Sequence, residues 1–146
     1  PIIVSRTASK IHGLAGLRIG FAIARPDIIK KLSQYVSGDP NVFGLTAANA
    51  SIMDTEYQAF VKAKNAEGRT MLIDAVTKLG KKVAPSQTNF VFFQTGKPVE
   101  QSQQYFAAKG FTIGRAFPPY TDWVRVSIGT PEEMKQFVGV LPGAFA

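Results

Sequence analysis

The stretch with the most chemistry in it runs Ser5-Arg6-Thr7-Ala8-Ser9-Lys10-Ile11-His12-Gly13-Leu14-Ala15-Gly16-Leu17-Arg18-Ile19-Gly20. Thr7 and Ser9 bring hydroxyls that can meet an anion. Gly13, Gly16 and Gly20 let the backbone turn sharply or come close to a bound group. Arg18 adds a planar cationic fork that suits phosphate. Lys10 sits among these groups and has two possible uses. It can be a plain anion contact, or it can be a nucleophile that forms a Schiff base with an aldehyde cofactor. A phosphate-binding loop of the Gly-x-x-x-x-Gly-Lys type is excluded, because Lys10 is preceded by Ser9 and the glycine spacing is wrong. Near the other end of the chain, Arg125 stands between Val124 and Val126. On a strand it faces away from both valines, and its fork fits a carboxylate. Arg115 precedes it. His12, Phe117, Tyr120 and Trp123 read as packing or rim residues.

These side chains need elements to hold them. Ile2-Ile3-Val4 and Ile19 to Ala24 read as two short buried strands, with Ser5 to Gly20 as a loop between them. Pro26 opens a helix whose apolar positions are Ile28, Ile29, Leu32, Tyr35 and Val36, and Ser37 to Asn41 breaks it. A long helical region is expected from Leu45 to Lys64, then a separate helix through Met71, Leu72, Ala75, Val76 and Leu79, capped by Gly80. Strands are expected at Asn89 to Gln94, Phe111 to Arg115 and Trp123 to Ile128, with a helix from Pro98 to Lys109. The last helix has the sharpest start: Thr130 as N-cap, Pro131 at the first position, and Glu133 to complete a capping box. The pattern is α/β, without internal repeats. It divides into residues 1–25, the end of a sheet-based domain, and residues 26–146, a helical connection and a fuller α/β layer.

Composition narrows the rest. The chain has 146 residues, 45% hydrophobic and 18% charged, as in a globular domain. There is no Cys and one His, which excludes disulfides, thiolate chemistry and a multi-His metal site. The net charge is +7, but the densest basic groups are only Lys30-Lys31 and Lys81-Lys82. Such scattered charge reads as solvated faces, so no nucleic-acid partner is expected. No apolar run reaches the ~18 residues of a membrane span, and no membrane partner is expected. A start at Pro1-Ile2-Ile3-Val4 lies inside a strand, so the chain is expected to continue upstream.

The lysine segment resembles the cofactor-lysine motif of the fold-type I pyridoxal-phosphate aminotransferases of class I/II, and within them the histidinol-phosphate aminotransferase group. That group carries a Ser/Thr-x-Ser-Lys element, a Gly-Leu-Ala-Gly element and an arginine eight positions after the lysine, the spacing of Lys10 and Arg18. Ala24 to Asp27, Thr88 to Phe90 and Val124 to Thr130 extend the resemblance in order along the chain. It implies an α/β fold that is the C-terminal portion of the pyridoxal-phosphate-dependent transferase fold. Residues 1–25 would be the last strands of the large domain, and residues 26–146 would hold the small domain.

The resemblance also implies roles. Lys10 would hold pyridoxal 5'-phosphate as a Schiff base and act in catalysis. Thr7, Ser9 and Arg18 would bind the cofactor, Arg125 the substrate carboxylate and Arg115 a substrate phosphate. The activity implied is transamination between small-molecule amino acids or amino-phosphates and 2-oxo acids, in a cytoplasmic homodimer. The family places the cofactor's aspartate, stacking ring, asparagine and tyrosine upstream of the lysine strand. This stretch alone is therefore expected to be inactive, with residues 1–25 displaced, swapped or paired with another copy. The other reading is a non-catalytic interaction or oligomerisation module derived from that fold.

Overall fold

A computed structural model describes residues 1–145. The chain forms two compact units, residues 1–62 and residues from Ala63 on.

In the first unit, strands β1 (Ile3–Thr7) and β2 (Gly20–Ala24) pair antiparallel, from Ile3 opposite Ala24 to Thr7 opposite Gly20. Every β1 residue is exposed, as is all of β2 except half-buried Ala24. The expectation of buried strands is thereby corrected. A continuous apolar run reports that a strand suits cover on both faces, not that this chain provides it. Strand β1 also takes in Ser5, Arg6 and Thr7, which read as loop, because pairing with β2 satisfies their backbone. What is buried here is small: Ala8, Ile19 and Ala48, with Leu14 and Leu17 packed against them.

Helix α1 (Pro26–Ser33) begins with proline at its first turn, where a missing N–H costs nothing. It ends earlier than the sequence suggests, leaving Tyr35 and Val36 exposed beyond it. Helix α2 (Val42–Met53) starts at Asn41, whose side chain accepts from the amides of Phe43 and Gly44. A Cβ on Gly44 would sit 2.7 Å from Ile19 Cγ1, so only glycine lets α2 meet the base of the loop.

The expected helices at 45–64 and 71–79 are divided differently. The break falls at Asp54, and α3 (Thr55–Lys78) runs unbroken through both. Asp54 stops α2 and starts α3, its carboxylate accepting from the Tyr57 amide at 2.9 Å. Nothing between Lys64 and Met71 stops a helix. Gly68, the weak point, faces Ile128 at a distance no larger side chain allows.

The second unit has a continuous core. Strands β3 (Phe90–Gln94) and β4 (Trp123–Ser127) pair antiparallel with Phe92 opposite Arg125. Val91, Phe93, Val124 and Val126 point inward. Leu72 and Val76 of α3, Val99 and Phe106 of α4 (Val99–Ala107) and Met134 and Phe137 of α5 (Pro131–Val140) complete the cluster. Phe106 and Phe137 stack at 4.8 Å. Gly80, just past α3, has φ +71°, as a helix-ending glycine should. Thr130 and Glu133 make the expected capping box.

Residues 111–115 do not form the expected strand. Their link to β4 is a single bond from the Gly114 amide to the Arg125 carbonyl, at 3.0 Å. A strand needs a repeating ladder, and this segment touches β4 only where Gly114 allows close approach.

Candidate functional site

The lysine loop joins β1 to β2. Its base is closed by the Ala8 amide donating to the Ile19 carbonyl at 3.0 Å, with both side chains buried. Inside it, the Leu14 amide returns to the Ala8 carbonyl and the Gly13 amide to the Lys10 carbonyl, both at 2.9 Å. Gly13 adopts φ +66°, which favours glycine. His12 Nδ1 lies 2.9 Å from Ser51 Oγ, tying the loop to α2.

On this frame Thr7 Oγ1 donates to Ser9 Oγ at 2.9 Å and accepts from the Ser9 amide at 3.1 Å. Lys10 follows directly and is exposed. Arg18 closes the loop with φ +55°, the one non-glycine at positive φ among the described residues. Its Nη1 donates to the Ala15 carbonyl at 2.8 Å, which leaves further guanidinium donors open. A left-handed arginine costs roughly 1–2 kcal/mol, and such strain gathers at binding sites. The loop thus groups paired hydroxyls, a lysine and a guanidinium. Among the described residues no carboxylate lies within 4.0 Å of Lys10 or Arg18. This donor set fits a phosphorylated aldehyde, with hydroxyls and arginine for the phosphate and a free amine for the carbonyl.

The second cluster lies within the second unit. Arg125 is half-buried on the face of β4 opposite the two buried valines. Its guanidinium carbon is 4.9 Å from the centre of the Phe117 ring and 5.3 Å from that of Phe90. It borders a cavity of about 510 Å³ whose other walls include Pro85, Phe90, Phe92, Phe117 and Tyr120. Arg115 is exposed and leans on the same Phe117 ring at 4.5 Å, with Nη1 donating to the Ala116 carbonyl. One ring therefore serves both arginines.

The aromatic wall supplied by Phe90 and Phe92 is not evident from motif spacing alone. Its signal is the alternation of β3, which puts both rings on the face that Arg125 shares across the sheet. Among the described residues no group of three potential metal ligands forms, and no helix is long and apolar enough to cross a membrane.

Comparison with known proteins adds the family. The model of the class I and II aminotransferases matches residues 1–141. The histidinol-phosphate aminotransferase of Symbiobacterium thermophilum is 34% identical over 98% of this chain, which spans 40% of that relative. The solved structure of a candidate histidinol-phosphate aminotransferase from Erwinia carotovora atroseptica superposes with a TM-score of 0.92. The two are 40% identical over 97% of this chain and 41% of that one. The histidinol-phosphate aminotransferase of Sinorhizobium meliloti, solved in complex with pyridoxal-5'-phosphate, gives 0.81 at 27% identity, over 98% of this chain and 40% of that one. The mixed fold is that of pyridoxal-phosphate-dependent aminotransferases, and the chain spans about 40% of the length of the curated relatives it matches. By the family model along nearly its whole length, this chain belongs to the class I and II aminotransferases.

Proposed function

We propose that this chain carries the lysine, the phosphate cradle and the carboxylate-binding arginine of a pyridoxal-phosphate-dependent aminotransferase of the histidinol-phosphate type. When bound, the cofactor supplies an aldehyde that takes up amines and a ring that draws electrons from the bond being broken. Thr7, Ser9 and Arg18 hold its phosphate. Lys10 would supply the amine that the aldehyde takes up and the group that moves a proton at the substrate Cα. Arg125 orients the substrate by a bidentate grip on its carboxylate. Arg115 meets a phosphate where the substrate has one. The substrates are an amino acid or amino-phosphate and a 2-oxo acid. The whole protein acts as a cytoplasmic homodimer, and this stretch by itself is inactive. Residues 1–25 belong with the large domain and residues 26–146 with the small one.

The observation that carries this reading is the loop itself. It groups Thr7, Ser9, Lys10 and Arg18 on one closed frame, with no carboxylate of the described residues on either cation. Titration of the chain with pyridoxal phosphate, followed by visible absorption, tests it. Saturable binding is expected, with the absorption change lost in Lys10→Ala and affinity at least about tenfold weaker in Arg18→Ala. Arg18→Gly should weaken affinity equally while raising stability by about 1 kcal/mol, since glycine tolerates the positive φ. An absorption change that survives Lys10→Ala would contradict the reading.

A second reading, a non-catalytic oligomerisation module, is favoured by the exposed apolar residues of the first unit, among them Ile2, Phe21, Ile23, Val36 and Phe43. It becomes the better account if no cofactor binds and the chain sediments as a defined oligomer.

A further inference from the structure

The lysine loop is held at two levels. Its base is apolar: Ala8 and Ile19 are buried with Ala48, and Leu14 and Leu17 pack against them. Its tip is a turn. Lys10 opens the turn and Gly13 closes it, the Gly13 amide donating to the Lys10 carbonyl at 2.9 Å. No side chain of residues 9–13 belongs to the apolar cluster. Among the described residues, one side-chain hydrogen bond joins this turn to another element. It links His12 Nδ1 to Ser51 Oγ of α2, 2.9 Å apart, with both residues half-buried.

His12 is the chain's only histidine. Imidazole and hydroxyl can each donate or accept, so the pair bonds with the proton on either partner. Nε2, the other ring nitrogen, has no partner among the described residues, so Ser51 supplies the ring's one polar anchor. Ser51 is itself fixed. It lies near the C-terminal end of α2, where backbone carbonyls lose their helical partners. There Gln58 Nε2 donates to the carbonyls of Ser51 and Ile52, at 3.1 and 3.0 Å. Contacts thus run from Gln58 through Ser51 to His12, the third residue of the turn that Lys10 opens.

Resting on the role proposed for Lys10, we infer that His12 is a positioning residue. Its bond to Ser51 fixes the Lys10–Gly13 turn and with it the place from which the Lys10 side chain leaves the loop. A reacting amine on a fixed turn loses less freedom on bonding than one on a loose turn. The groups proposed for the phosphate do not depend on this bond. Thr7 and Ser9 bond to each other and Arg18 to Ala15, on a frame closed by Ala8 and Ile19. Loss of the His12–Ser51 bond should therefore loosen Lys10 and leave the phosphate groups in place.

The test compares two ligands on the 146-residue chain by calorimetry. Pyridoxal phosphate can bond to Lys10, its aldehyde carbon taking the amine nitrogen and its oxygen leaving as water. Pyridoxine 5'-phosphate has the same ring and phosphate but an alcohol in place of the aldehyde, so it reports the phosphate groups without the lysine bond. The unaltered chain is expected to bind the aldehyde more tightly. His12→Phe keeps a ring and removes the hydrogen bond. It should weaken pyridoxal phosphate about fivefold, the worth of one hydrogen bond, and change pyridoxine phosphate less than about twofold. Ser51→Ala, which puts a strong helix former on α2, should do the same, and the double variant should lose no more than either. His12→Asn, whose amide can donate or accept, should restore most of the margin. Amide exchange gives a reading without cofactor: in Ser51→Ala it should quicken at Gly13 and not at Ala8. A margin kept in His12→Phe would overturn the inference, as would equal weakening of both ligands or unchanged exchange at Gly13. Equal affinity for the two ligands on the unaltered chain would instead remove the Lys10 reading, and this inference with it.

Discussion

The two units use apolar residues in opposite ways. From Ala63 on, Leu72, Val76, Phe93, Phe106, Phe137 and Leu141 pack into one cluster from which water is excluded. In residues 1–62 the buried apolar set is Ala8, Ile19 and Ala48, while Ile2 is 79% exposed, Phe43 82% and Ile23 58%. Burial of large side chains supplies most of a fold's stability, so the second unit should dominate the stability of the chain. The first unit is held by hydrogen bonds at the loop base, by the close meeting of Gly44 and Ile19, and by the helix caps. The proposed lysine and phosphate groups stand on the unit with little core of its own, and the proposed carboxylate arginine stands on the unit that is well packed. A ligand that binds the ordered hairpin would stabilise it by mass action.

Point mutations should separate the two units by the size of their effect. The largest effect is expected from Phe93→Ala, which empties a site of zero exposure and should cost about 3–5 kcal/mol. Urea unfolding followed by Trp123 fluorescence would show it, and a loss below about 1 kcal/mol would mean the second unit is not the stable half. Next comes Gly44→Ala, whose new Cβ would meet Ile19 Cγ1 at 2.7 Å. Overpacking there should cost about 1–3 kcal/mol, and amide exchange should quicken at Ala8, which bonds to Ile19, while Val91 is unaffected. Quickening at both would show that the two units unfold together. Thr130→Ala removes half of a capping box and should lower the second unit's stability by about 1 kcal/mol, read as a lower urea midpoint. The smallest change is expected from Ile23→Ala, on the exposed face of β2. It should shift the midpoint by no more than about 0.5 kcal/mol, and a loss as large as that of Phe93→Ala would mean that β2 is covered in solution.

Much of this was readable from residue order, and what was not has a common cause. The capping box at Thr130, the turn at Gly80 and the opposed faces of Arg125 and its flanking valines are local. They depend on a few neighbouring residues, and the structure has them as expected. The exposure of β1 and β2 is not legible in the sequence, because periodicity reports a preference for cover, whereas exposure depends on what else is present. The helix boundary shifted to Asp54 because its side chain competes with the backbone for the Tyr57 amide, and a run of helix formers gives no hint of that. Residues 111–115 look like a strand by composition, yet the ladder that would make them one is absent. The lysine loop was legible as a motif. The aromatic cavity was not, because it joins residues from Ala84 to Phe92 with residues from Phe117 to Arg125, brought together only by the register of β3 and β4.

If the hairpin loop is a cofactor site built around Lys10, pyridoxal phosphate should bond there and not elsewhere. Borohydride reduction of the chain in the presence of pyridoxal phosphate, followed by peptide mass mapping, tests it most directly. One reduced adduct is expected, on Lys10, and it should disappear in Arg18→Ala while the other lysines stay unlabelled. Labelling spread evenly over lysines such as Lys30, Lys62 and Lys109, or no adduct at Lys10, would contradict it.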